Sequence, residues 1–485
     1  MPGTGNTGTH RTGPAVARAQ PFKVIEGGRR AQTGFAKPDP LRFSPQELAA
    51  EMAELFALGL MQDCRLDQIA SPDCPVQIAP GLVVTQADVM AQVSALPWFS
   101  GQTCLAPGMS AQRRALHRQK GKLTLWRGGV ALPGNGAAAS AVLMQDHSAA
   151  APAPVRHTPQ PDAPMSVWAD WCARQFGAGL RLPGAEGAAP QIDTLAEMAA
   201  HIHAMPAARP FFNAALAALA RGARFGGGAT DWNGKRLLST MAKAADAATR
   251  VSLLQASSID RMSRPAVTAA RLSLNLSMAQ VPDALETEQL RAAAEILRQH
   301  APQLLAWMSA ANAARRGPQR TAYSLFLPLN NSDSVPLHPA DCATHMLVGS
   351  ALATVLKAVV DGGHQTQLTT VGSQGRDVIF ANEIDQLVAN IATARVVSGG
   401  YFPAENHQEQ RLGQALGLAA LRDTLTLRNC PAAMAFRDLD GRVLQLVAEP
   451  GADGHPLVRL LSEGTCLDWP SGKRPPKPPE HLAVV

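Results

Sequence analysis

Two side chains in this sequence are placed for anion chemistry. His345 closes an irregular, proline-marked loop, LPLNNSDSVPLHPADCATH, and leads straight into the apolar stretch Met346 to Val360. A histidine at or near a helix N-terminus lies among free backbone N–H groups and the positive end of the helix dipole, a setting that favours an anion. Downstream, Ile384, Leu387, Val388 and Ile391 form an apolar stripe at helical spacing, and Arg395 falls on the same stripe. A guanidinium stays charged when buried, so on a core-facing stripe it needs an acid or a bound anion. Gly399-Gly400 end that helix, and Tyr401 and Glu405 follow; Tyr401 is one of only two tyrosines in the chain.

Each residue also has a plainer reading. His345 is equally a first-turn histidine of a buried helix, and His338 a loop histidine satisfied by backbone. Arg395 is also a structural arginine paired with Glu405 across the helix end. Cys342 beside His345 offers a Cys–His nucleophile pattern, set against the inertness of most loop cysteines.

The elements that must hold these residues are helical. Asp341 or Thr344 serves as N-cap for the helix over 345–360, and Gly362-Gly363 supply its stop. Near the start, Ser44, Pro45 and Glu47 have the order of a capping box ahead of the apolar face Leu48, Met52, Leu55 and Phe56. Further helices are expected over 86–98, 192–222, 235–262, 265–280, 286–315, 377–398 and 405–428. AMAFRDLDGRVLQLVAE reads as a β-hairpin with Asp440-Gly441 in the turn. The expected organisation is a flexible basic segment 1–40, a helical region 41–185, a helical core 186–430, and a hairpin with a proline-rich tail over 431–485. Residues 128–165 turn to Gly, Ala and Pro and are expected to form an exposed loop or linker.

Hydrophobic residues make up 46% and charged residues 17% of 485, a globular helical composition rather than a disordered one. The net charge of +6 gathers at the two ends without interleaved aromatics, which argues for solvated termini and against nucleic acid. Seven cysteines are widely spaced with no CxxC pair or Cys/His zinc spacing, so buried thiols in a reducing compartment are expected and no metal site. With no apolar leader and no run long enough to span a bilayer, the expected location is the cytoplasm, with no membrane partner.

The quoted loop and the Arg395 segment resemble the two anion-binding motifs of the vanadium-dependent haloperoxidases, relatives of the acid phosphatase superfamily. The family's loop reads LP, then SP-x-HP, then PSGH-A, and runs into a helix ending ATVLKA. This chain has Leu327-Pro328, Pro336, His338-Pro339, His345 and Ala353 to Ala358 without a gap. The second motif is an Arg followed by Gly, His and Asp; here those places hold Arg395, Gly399, Tyr401 and Glu405, with Gly413 closing the match. Weaker similarity at 53–69, 123–129 and 209–219 extends it over roughly 45 to 450. The resemblance implies a mainly α fold with a paired four-helix-bundle core and a small β-hairpin near the C-terminus. It also implies peroxide-dependent halide oxidation on a vanadate cofactor, and assembly as a homo-oligomer.

Carried over by position, the resemblance implies that His345 is the acid/base, that His338 is the histidine of the halide side, and that Arg395 binds the anion. The other pocket positions are replaced. Ala343 and Thr344 stand for Ser-Gly, Tyr401 for the vanadate-ligating His, and Glu405 for Asp. By a softer placement, Ser273 stands for Lys and Val281 for Arg. Charge-assisted hydrogen bonds contribute roughly 1.5–3 kcal/mol each, so losing two cations and the metal–ligand bond leaves little to hold vanadate. The implied outcome is no bound cofactor and a halide-oxidising activity that is lost or strongly altered. The alternatives are a non-catalytic scaffold or partner subunit of an intact homologue, or a metal-independent enzyme reusing the cavity.

Overall fold

Ser44 opens the first helix as its position dictates: with extended backbone, its hydroxyl accepts the Glu47 N–H at 3.2 Å, and α1 runs Pro45–Leu60 with proline first. The computed structural model describes residues 43–100, 139–140, 142–143, 192–220, 223, 225, 232–256, 264–277, 288–317, 323–329, 339–361, 367–369, 377–427, 431–451 and 456–470. After α1 come the hairpin strands β1 (Pro75–Ala79) and β2 (Leu82–Thr85), then α2 (Gln86–Ser94) and the short α3 (Pro97–Ser100). The helical series continues with α4 (Leu195–Ala204), α5 (Arg209–Ala220), α6 (Gly234–Ala256), α7 (Pro265–Leu276), α8 (Glu288–His300) and α9 (Pro302–Arg316). Helix α10 (Pro339–Leu356) passes into a π-helical turn at Lys357–Asp361. Strands β3 (Gln367–Thr369) and β4 (Asp377–Ile379) pair antiparallel before α11 (Phe380–Val397) and α12 (Pro403–Thr426). The chain ends in an antiparallel sheet, β5 (Ala432–Arg437), β6 (Val443–Glu449), β7 (Leu457–Ser462) and β8 (Thr465–Leu467), in that order.

Helix α10 is the hub. Met346 to Val360 are buried on every side, and α6, α11 and α12 all pack on this helix. The crossing with α12 depends on two glycines. A Cβ at Gly413 would lie 2.6 Å from the Leu347 carbonyl oxygen, and one at Gly417 would lie 2.5 Å from that of Ala351. No side chain fits there, so the two helices meet backbone to backbone. Helix α4 packs on α11, and α1 on α8 and α9. Among the described residues no helix is long and apolar enough to cross a membrane.

The mainly helical fold with a small C-terminal antiparallel sheet agrees with expectation, and several details depart from it. The stretch 192–222 is two helices, because Met205 takes an extended backbone ahead of Pro206. Residues 286–315 divide likewise at Ala301, ahead of Pro302. The hairpin turns at Gly441 with φ +81°, as expected, but two more strands extend it. In the Gly/Ala/Pro-rich stretch, Ser140, Val142 and Leu143 are buried rather than exposed. The Ser140 N–H donates to Asn390 Oδ1 at 2.9 Å and its hydroxyl to the Glu383 carbonyl at 2.9 Å, which fastens this segment to α11.

Candidate functional site

The C-terminal end of α11 and the N-terminal end of α12 carry the charged residues, and α4, α7 and α10 close around them. Arg395 is 0% exposed, and its Nη2 lies 2.6 Å from Glu409 Oε2. Its guanidinium carbon stands 3.6 Å from the centroid of the Tyr401 ring, which is itself buried. A second guanidinium, Arg264, lies over the same ring at 5.3 Å and hydrogen-bonds Glu405 at 3.1 Å. The expectation that Arg395 pairs with Glu405 is corrected: Glu409, one helical turn further along α12, is the carboxylate against Arg395. Glu405 is held at its own helix end, where Oε2 accepts the Phe402 N–H at 2.9 Å, and there it meets Arg264.

A second buried acid sits at that same helix end. Glu51 of α1, 0% exposed, accepts the Ala404 N–H at 2.9 Å. Two carboxylates thus satisfy the free N–H groups of α12 and complement its dipole. Burial pushes the Glu409 carboxyl up and Glu405 adds to that push, while the attraction of Arg395 opposes it.

The histidines join this cluster from the α4 and α10 side. His203 on α4 places Nε2 3.2 Å from the Ala394 carbonyl, and its ring centroid is 6.3 Å from that of His345 in an edge-on arrangement. Burial lowers the His203 pKa to about 4, with His345 and Arg395 also disfavouring its charged form, so it is neutral at physiological pH. His345 is buried, with Nε2 2.9 Å from the Met205 carbonyl. It does not stand at the helix N-terminus. Helix α10 begins at Pro339, which places His345 in the second turn and rules out Asp341 and Thr344 as caps. The dipole acts mainly within the first turn, so that contribution to anion binding is small here.

The structure therefore links His345, Arg395, Tyr401 and Glu405 in one run of contacts through His203, Arg264 and Glu409, none of which the sequence reading singled out. Only His203 left a local trace, in the pair His201-x-His203 on one short helix. Ser273, at the softly placed Lys position, is buried in α7. Its hydroxyl donates to Ala269 O and accepts the Leu325 N–H, both at 2.9 Å, so it supports the backbone of 323–329. Thr344 is partly exposed. His338, Val281 and the Gly362-Gly363 stop lie outside the described residues, and for Ala343 and Cys342 only the helical backbone is described. Among the described residues no three His, Cys, Asp or Glu side chains are grouped to hold a metal ion.

No family model matches the chain. It is 26% identical over 215 residues to a vanadium-dependent bromoperoxidase of Ascophyllum nodosum, covering 42% of this chain and 36% of that protein. It is 23% identical over 265 residues to a vanadium-dependent bromoperoxidase of Corallina pilulifera, covering 49% of this chain and 44% of that protein. The matches thus span less than half the length of either relative. The homohexameric structure of the second vanadate-dependent bromoperoxidase of Ascophyllum nodosum superposes with a TM-score of 0.55 at 17% identity, covering 89% of this chain and 74% of that one. In sequence and fold this chain is vanadium haloperoxidase-like.

Proposed function

We propose that this haloperoxidase-like chain has given up vanadate-dependent halide oxidation, and that its own carboxylates stand where an oxyanion would otherwise bind. The observation that carries this reading is the Arg395 guanidinium, 0% exposed, with Glu409 Oε2 at 2.6 Å and the Tyr401 ring stacked at 3.6 Å. A cation already faced by a carboxylate and an aromatic ring offers a vanadate ion little net charge. Arg264 is engaged in the same way by Glu405. A phenol is a poorer metal ligand than an imidazole at neutral pH, because it must lose a proton to bind. The role that follows is a non-catalytic scaffold or partner subunit, assembling as a homo-oligomer or with an intact homologue.

The test is direct. Purified protein given vanadate, bromide and hydrogen peroxide should not brominate a phenol-red-type acceptor above background. Turnover that rises with added vanadate overturns the proposal, and in that event His345→Ala should abolish it.

A second reading, a metal-independent enzyme in the old cavity, rests on the two buried imidazoles His203 and His345, whose rings are 6.3 Å apart. Activity lost with His345→Ala but indifferent to vanadate is its signature.

A further inference from the structure

We propose that Cys64 and Cys74 form a disulfide that locks the junction from which α2 and α4 spring. Both thiols are buried, at 6% and 3% exposure. They converge on one acceptor: Cys64 Sγ lies 3.7 Å and Cys74 Sγ 3.9 Å from the carbonyl oxygen of Pro75. Among the described cysteines these two are buried together, whereas Cys466 is exposed.

The backbone around the pair shows what a covalent link would hold. The Cys64 carbonyl accepts the N–H of Leu195, the first residue of α4, at 3.2 Å. Leu66 N–H donates to Asp193 O at 2.8 Å, and Arg65 bridges Thr194, the N-cap of α4. The Cys74 carbonyl accepts the N–H of Gln86, the first residue of α2, at 2.9 Å. Each cysteine therefore seats the start of one helix, and α4 is the helix that carries His203. A bond between the sulfurs would fix the 64–74 turn, and through it both helix entries, by limiting the unfolded chain.

The reaction balances by exchange with a small-molecule disulfide. One cysteine thiolate attacks a sulfur of the oxidant and releases one thiol. The second cysteine then displaces the other half, giving the Cys64–Cys74 bond and two thiols in all. Burial first, and then the adjacent Cys74 thiol, push Cys64 up to about 12, so the Cys64 thiolate is scarce in the folded protein at neutral pH.

The full chain is produced in cells with an oxidising cytosol and, in parallel, in cells with a reducing one, and free thiols are alkylated on lysis. Peptide mapping without reductant should show Cys64 and Cys74 joined only in the oxidised preparation, lighter by two hydrogens than the alkylation-free thiol pair. That preparation should melt several degrees higher. Cys64→Ala and Cys74→Ser should each erase the joined peptide and the difference in melting. Recovery of both cysteines as alkylated thiols, or of either as a mixed disulfide with glutathione, while Cys466 is oxidised in the same sample, would overturn the proposal. The mapping of the unaltered chain decides the matter even if a variant fails to fold.

Discussion

One turn of α12 separates two regions that hold together by opposite means. At Gly413 and Gly417 the helix meets α10 with nothing between the backbones, and the contact is dispersion and shape. At Glu409 and Glu405 the same helix presents carboxylates to buried or half-buried guanidiniums, and the contact is charge compensation. An atom added in the first region forces the two backbones apart. The second tolerates no removed partner.

The largest expected effect tests the charged region. Arg395→Ala leaves Glu409 buried beside a cavity and should cost about 3–5 kcal/mol of stability in denaturant unfolding. The pair Arg395→Met with Glu409→Leu should recover most of that loss. A single-variant loss below about 1 kcal/mol would mean that the ion pair is not what holds this end of the bundle.

Acid should act on the same region somewhat less strongly. His203 titrates near 6.5 when unfolded and about 4 when folded, so the unfolded chain binds the proton first. Stability is then complete above pH 6.5 and falls as pH drops toward 4, by on the order of 3 kcal/mol. Glu409, pushed up by burial, works in the opposite sense, so the comparison with His203→Gln isolates the histidine. Melting temperature followed from pH 7.5 to 4 should decline less steeply in that variant, and parallel declines would remove His203 from the account.

The crossing provides the smallest and sharpest contrast. Gly413→Ala places a methyl group against the Leu347 carbonyl, and overpacking of this kind costs about 1–3 kcal/mol. The loss should be the same at pH 7.5 and pH 5, since no titrating group is touched. A pH-dependent loss would show that the crossing and the charged cluster are coupled.

These two regions were not equally legible. The run Met346 to Val360 announced a helix buried on all sides, and Ser44-Pro45 announced the start of α1, because local chemistry and burial agree there. Arg395 on an apolar stripe announced a buried cation, and it is one. Its partner was not legible, since Glu405 and Glu409 are one turn apart on the same helix and both are within reach in one dimension. The choice is made by Arg264, which arrives from α7 and engages Glu405 together with the Phe402 N–H. The start of α10 is hard to read from sequence for a related reason. Cap-like residues at Asp341 and Thr344 suggested a boundary, whereas the helix begins at Pro339, a residue well suited to a first turn.

The segment around Ser140 has a practical corollary. Its alanine- and glycine-rich surroundings invite an engineer to excise residues 128–165 as a dispensable tether. Doing so would withdraw the Ser140 N–H and hydroxyl from Asn390 and the Glu383 carbonyl, and would vacate the space filled by the buried Leu143. What looks like slack in the chain is a peg in its socket, and any abbreviated version must carry that peg with it.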